Sequence, residues 1–390
     1  MRYSVIFILL MCMIISCIEE KPLHDSMEII EINTQQESCD ISSFIEKIEI
    51  VPLETTEHSL FHKMNKVIFN NGMDICAILT GEQDVFTFNG DGKYIANSKM
   101  RKGDGPEEYS MITDIRFSKD NNSIELLNPY GLIYSYTATF DFLSRTKINT
   151  KIPIRHIIQT DSTYFIMTHH SLWTGEEVTF YNQENDEYSY EKYEGTISAG
   201  NGINKDNFHQ TPENIYFVPH GINYYLYQVD NINKKIVPKI YLDFGDETIK
   251  EKGLPGVGVG KKAKVEGNMI DLSKEYIQRH TFLRKSNYII PLIKLVNDKY
   301  VYIYMAKGNE SLGSHYIYNR EEGKGFLTKD SKSTKFGYCN GINENVLFFI
   351  CQPFELPYYI DSQLMSNSEI EKISAIKEDD NPIIIKYYLK

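Results

Sequence analysis

The sequence predicts an all-β fold, a six-bladed β-propeller built from four-stranded antiparallel blades, and three features carry that prediction. The first is alternation. In "DKYVYIYMAK", Tyr300, Tyr302 and Tyr304 fall on one face of a strand, and Val301, Ile303 and Met305 fall on the other. Both faces are apolar or aromatic, which suits a sheet packed between two neighbours. The second is composition: aromatics make up 13% of the chain and include 28 tyrosines, residues that fit a pleated surface. The third is repetition. Strand-like runs at 67–69, 75–79, 85–88 and 94–98 make one cycle, and those at 115, 124–127, 133–136 and 142–148 make the next. Further cycles start near Ile157, Ile215, Tyr288 and Phe336, and turn residues such as Asn89-Gly90-Asp91-Gly92 separate the runs. One four-stranded sheet cannot bury both faces, whereas a closed ring of blades buries them and protects the strand edges.

The elements follow in chain order. Residues 1–16 read as a signal peptide, with one charge, Arg2, before the apolar run "VIFILLMCMII". Ile14-Ile15-Ser16-Cys17 resembles a bacterial lipobox, so cleavage is expected between Ser16 and Cys17, with Cys17 as the acylated residue. The acids Glu19 and Glu20 resemble a signal for export to the outer face of the outer membrane. Residues 17–44 read as a polar tether and 45–390 as the propeller, with an insertion at about 245–285 that holds a short helix near 273–283. Ser366 followed by Glu369 reads as a capping box that opens a second peripheral helix, with Ile370, Ile373 and Ile376 as its apolar stripe. After Asn381-Pro382, "IIIKYYL" returns to strand. Its pairing with 46–53 would close the ring with both chain ends in one blade.

Charge bounds the partners. The chain carries 41 basic and 53 acidic residues, a formal charge of −12. Loss of Arg2 with the signal peptide would make the balance more acidic still. Such a surface disfavours nucleic acid, and it assigns membrane attachment to acyl chains. Cys39, Cys76, Cys339 and Cys351 form no C-x-x-C pair and have no histidine at zinc-finger spacing, which argues against structural zinc; export would allow disulfides in any of three pairings, but in so large a chain buried free thiols are expected.

Motifs for chemistry are few. In "GLPGVGVGKK", the phosphate-binding pattern G-x-x-x-x-G-K-[ST] fails at Pro255 and again at Lys262. In "MRKGDGPEEY", Gly103 and Gly105 would begin G-x-G-x-x-G, but Glu108 stands in the third glycine's place and a strand follows. That stretch reads instead as a blade-to-blade connection. His169 and His170 are adjacent, so on a strand they point to opposite faces and cannot share a metal. Trp173, the only tryptophan, is a candidate for stacking on a sugar or an apolar ligand, with core packing as the alternative. No catalytic residue, metal ligand set or cofactor motif emerges.

Several of these stretches together resemble the six-bladed β-propeller lipoproteins common in a phylum of Gram-negative bacteria rich in gut commensals. They are "IEKIEIVPLETTEHSLFHKMNKVIF", "VFTFNGDGKYIANSKMRKGDGPEEY", "YLDFGDETI" and "EDDNPIIIKYYLK". Gly103, Gly105, Pro106, Glu108 and Tyr109 match the family's turn motif, while Glu107 replaces a glycine. The resemblance implies the fold and lipidation, and it implies little about activity.

Two functions are therefore weighed. One is a monomeric, lipid-anchored binding or scaffold protein of the cell envelope, whose ligand is a glycan, a peptide or another envelope protein. The alternative is a propeller-type hydrolase or lyase with a metal in the central channel. Three or more Asp, Glu, Asn or His side chains in coordination reach there would favour the enzyme. A channel that is apolar or filled by lysine would favour the binding protein.

Overall fold

The computed structural model describes residues 27–150, 152–161, 163–169, 177–197, 206–250, 254–255, 277–308, 313–331 and 336–390. Two strands, β1 (Glu28–Glu31) and β2 (Ile45–Pro52), precede the first complete blade. Blade 1 runs from the axis outward as β3 (Met64–Phe69), β4 (Ile75–Thr80), β5 (Val85–Asn89) and β6 (Tyr94–Asn97). Blade 2 is β7 (Asp114–Phe117), β8 (Ile124–Leu127), β9 (Leu132–Tyr136) and β10 (Phe142–Lys147). Blade 3 is β11 (Ile154–Gln159), β12 (Tyr164–His169), β13 (Glu177–Asn182) and β14 (Glu187–Lys192). Blade 4 is β15 (Phe208–Gln210), β16 (Ile215–Phe217), β17 (Tyr225–Asp230) and β18 (Lys235–Asp243). Blade 5 is β19 (Ile289–Val296), β20 (Tyr300–Lys307), β21 (Ser314–Asn319) and β22 (Lys324–Lys329). Blade 6 is β23 (Gly341–Asn343), β24 (Val346–Cys351) and β25 (Ile383–Leu389), completed on its outer side by β2.

The ring closes as the sequence predicts, with Ile50 of β2 opposite Ile385 of β25 in an antiparallel ladder. The apolar core is divided among the six seams between blades. Ala77 and Leu79 of blade 1 pack with Ile115, Leu126 and Tyr134 of blade 2. Val67 and Ile78 meet Phe348 and Ile350 across the closing seam. Two apolar faces per blade are what such seams require, and they explain the tyrosine and isoleucine alternation.

Three details differ from the sequence reading. The fourth cycle begins at β15, seven residues before Ile215, because Phe208-His209-Gln210 has a single apolar residue whereas Ile215-Tyr216-Phe217 of β16 has three apolar or aromatic ones. Residues 17–44 were expected to form a tether, yet from residue 27 they strap the outside of the body. There β1 pairs in parallel with β18, Ile29 opposite Tyr241, as a fifth strand of blade 4. Cys39 N–H then donates to Leu327 O of blade 5 at 2.8 Å. The helix α1 (Asn367–Ala375) does start at Ser366, whose hydroxyl accepts from Glu369 N–H at 3.3 Å. The capping box is only half made, because Glu369 turns to β2 and accepts from Ile50 N–H at 2.8 Å. In the link between blades 1 and 2, expected from sequence as a connection, Gly103 and Gly105 do not adopt positive φ. Their lack of a side chain makes room for the Glu108 carboxylate, which accepts from Gly105 N–H at 2.9 Å and would lie 3.0 Å from a Cβ there.

The four cysteines within the described residues are free thiols, and Cys76, Cys339 and Cys351 are buried. Most of the insertion, Cys17, His170 and Trp173 lie outside the described residues.

Candidate functional site: the channel floor and mouth

Four successive blades each deliver one charged or titratable side chain to a common point on the axis. Lys66 comes from β3, Asp114 opens β7, His156 lies on β11, and Asp206 stands just before β15. Lys66 and Asp114 are 48 residues apart and Asp114 and His156 are 42 apart, so the site recurs at the blade repeat. Propeller geometry brings such positions together, because equivalent residues of innermost strands lie side by side around the axis.

Lys66 Nζ lies 2.7 Å from Asp114 Oδ1 and 2.6 Å from Asp206 Oδ2. His156 Nδ1 is 3.2 Å from Asp114 Oδ2 and 4.0 Å from Asp206 Oδ1. Lys66, Asp114 and His156 are buried, whereas Asp206 leaves 32% of its side chain open toward the channel. A carboxylate can only accept, so His156 Nδ1 is the protonated nitrogen. His156 Nε2 is buried and has no hydrogen-bond partner among the described residues.

The electrostatics follow from the geometry. Burial works against charge on Lys66, but Asp114 and Asp206 outweigh it and hold the ammonium above its ordinary pKa. Burial likewise opposes charge on Asp206, and Lys66 with His156 prevails, keeping the carboxylate below its usual range. Both partners are thus fixed in their charged forms. His209, next along β15, is pushed down chiefly by burial, and its Nδ1 accepts from Val296 N–H at 3.1 Å.

Polar ties continue around the ring. Asn297 Nδ2 donates to Glu344 O at 2.7 Å, joining blades 5 and 6, and Asn343 Nδ2 donates to Asn70 O at 3.4 Å, joining blades 6 and 1. Above this floor opens a mouth of about 620 Å³, bounded by β3, β15, β19 and β23 with the turns that follow them. A smaller cavity of about 120 Å³ lies against Asp114 and Arg116, and Lys66 and Asp206 wall both spaces.

The mouth is lined by phenyl rings and amides. Phe69 and Phe348 meet edge to face with centroids 5.0 Å apart. The amides of Asn71 and Gln210 carry no hydrogen bond among the described residues. Burial would raise the Asp298 carboxyl, but hydrogen bonds from Thr211, Asn214 and Tyr216 outweigh it and hold it low. The formal charges of the lining are Lys66 and Lys299 against Asp206, Asp298 and Glu344, an excess of one acid. A phosphate or polyanion gains nothing from such a lining.

A larger groove of about 740 Å³ runs on the rim between β2, α1 and the 90–93 turn. Two of its three lysines are paired locally, with Lys372 Nζ 2.6 Å from Glu369 Oε1 and Lys93 Nζ 3.4 Å from Glu54 Oε1. That groove is the seat of the β2 edge cover and lies away from the axis.

The residues singled out from sequence lie elsewhere. His169 is satisfied, with Nδ1 3.2 Å from Pro153 O and Nε2 3.1 Å from Thr179 Oγ1. Gly103 to Tyr109 form the link between blades 1 and 2. There the fully buried Tyr109 places its hydroxyl 2.5 Å from Ser98 Oγ. Lys66, Asp114, His156 and Asp206 went unrecognised, although they stand in the innermost strands at the spacing of the repeat. Their one signal in sequence is a charged residue inside or just before each first strand of a cycle.

Fold and channel together define this chain as a six-bladed β-propeller whose axis is closed by a salt-bridged floor beneath an open mouth. The chain belongs to the family described as "Domain of unknown function (DUF4934)", which it matches over residues 26–388. No curated protein matches the sequence. Among solved structures, the chain is similar to a "Putative exported protein" from Bacteroides fragilis, at 15% identity and a TM-score of 0.68, over 93% of this chain and 99% of that one. It also matches the WD40 repeats of RRP9, at 12% identity and a TM-score of 0.43, over 88% of this chain and 98% of that one. The WD40 domain of SCAP from fission yeast matches at 9% identity and a TM-score of 0.40, over 88% and 98%.

Proposed function

We propose that this chain is a lipid-anchored binding protein of the bacterial cell envelope that takes a polar, uncharged segment of a glycan or a peptide into the channel mouth. One observation carries the reading: the mouth offers unpaired amides beside phenyl faces, while the charges beneath it are already spent on one another. Amides donate to and accept from hydroxyl and peptide groups, and rings cover apolar sugar or side-chain faces. The near neutrality of the mouth suits such a ligand better than an anion.

The metal-dependent hydrolase or lyase is the weaker reading. Three potential ligands, Asp114, His156 and Asp206, are within reach of one another, which favours it. Lys66, however, sits against both carboxylates and supplies the positive charge a metal would bring. Export through a signal peptide and acylation at Cys17 accord with the lipobox, and the similar Bacteroides fragilis protein is itself described as exported.

Two measurements test the proposal. Arrays of glycans and peptides probed with purified protein should show binding that Asn71→Ala and Gln210→Ala weaken about tenfold, the loss of one to two hydrogen bonds. Binding unchanged in both variants would place the ligand elsewhere. In cells, a fatty-acid analogue should label the wild-type chain and not Cys17→Ala; equal labelling would refute the anchor.

A further inference from the structure

We propose that Asp114, His156 and Asp206 form a divalent-cation site whose place is held in this chain by the ammonium of Lys66. A nitrogen or oxygen donor from each of the three residues falls within 4.8 Å of the others, close enough to share one ion. One imidazole with two carboxylates is a donor set for Zn²⁺ and its neighbours in the first transition row. Each residue of the set sits in or beside an innermost strand of a different blade.

Two further observations point to a cation as what this cluster is built to hold. Lys66 Nζ contacts both carboxylates at 2.7 and 2.6 Å, so a positive charge already occupies the acids. His156 is more than nine-tenths buried and turns Nδ1, the nitrogen that would ligate an ion, toward both acids at 3.2 and 4.0 Å. A path for an ion exists as well, because the cavity of about 120 Å³ is walled by Lys66, Asp114 and Asp206. The inference is independent of the ligand proposed for the mouth, since a metal titration requires no such ligand.

Lys66 is thus a covalently attached substitute for the metal. It provides the charge that keeps the two acids together, one buried and one partly open, and its stem crosses the space an ion would need. The test is titration of the full-length protein with Zn²⁺ by calorimetry, with Lys66→Met as the variant. One-to-one binding is expected in Lys66→Met, tighter than in the wild type by on the order of 100-fold, and it should be lost when His156→Ala is added. A folded Lys66→Met that binds no Zn²⁺ would overturn the proposal. Wild-type binding as tight as the variant's, or binding that survives His156→Ala, would do the same.

Because Lys66→Met leaves Asp114 and Asp206 facing each other without a cation, its folding is followed by circular dichroism. Where the variant is unfolded alone, recovery with Zn²⁺ and not with Mg²⁺ supports the site. A chain that stays unfolded with either ion counts against it.

Discussion

Lys66 and Lys294 are two buried lysines whose pKa values move in opposite directions. Lys66 lies against two carboxylates and stays charged. Lys294 on β19 donates to Asn223 O at 2.7 Å and Pro219 O at 3.4 Å, and burial pushes its pKa down to about 7. An unfolded chain would keep that amine protonated up to about pH 10. Between pH 7 and 10 the unfolded state therefore binds the extra proton, and stability rises with pH across that window. Below pH 7 both states are charged and the cost of burying the ammonium is felt in full. Lys294→Met should stabilise the fold at pH 7 and below and flatten the slope above it. Denaturant titrations at several pH values read this directly, and an unchanged slope would show that Lys294 does not set it.

At the level of elements, the outer edge of β2 is guarded by side chains instead of a further strand. Glu369 and Lys372, one turn apart on α1, accept from Ile50 N–H at 2.8 Å and donate to Ile50 O at 3.1 Å. Pro52 offers no donor at the end of that edge, and Glu54 N–H is taken by Gly92 O at 2.8 Å. The helix reproduces one rung of a ladder. Glu369→Ala should strand a buried N–H and cost about 1–3 kcal/mol, with Glu369→Gln milder because an acceptor remains. Thermal unfolding of the two variants checks the order, and equal losses would mean that the hydrogen bond is not the cause.

The whole molecule is held by two belts at different radii. The inner belt is the ring of polar ties around the axis, with the Lys66 cluster at its centre. The outer belt is the N-terminal segment, which passes from blade 4 through blade 5 to blade 6 as β1, the Cys39 contact and β2. Arg320 of blade 5 reinforces it through Glu28 at 2.9 Å, and Thr34 of the segment donates to Glu247, which Lys307 of blade 5 holds at 2.5 Å. Force applied at an N-terminal anchor would first load the parallel β1–β18 ladder. Deleting residues 27–39 should lower the melting temperature by several degrees, given about 4 kcal/mol of lost ladder and ion-pair energy. It should also let chains associate through the bared β18 edge, visible by gel filtration. A deletion that stays monomeric with unchanged melting would remove the strap's structural role.

The sequence by itself determined the architecture, because each cue was local. Tyrosine and isoleucine alternation marks strands with two apolar faces, as at 300–305, and turn residues mark their ends. The repeat counts the blades, and "IIIKYYL" declares a strand with no partner left but β2. At β15, where only Phe208 is apolar, that local signal failed, and the cycle start slipped. The strap was hidden for a related reason, since Glu28–Glu31 carries no alternation and becomes a strand only on the finished edge of β18. The site left only a faint trace in sequence, a charged residue in or just before each first strand of four cycles. Lys66, Asp114, His156 and Asp206 are unremarkable at their own positions, and only ring closure brings four blades to one axis. There Lys66 and Asp206 hold each other in their charged forms, a consequence of distance in three dimensions.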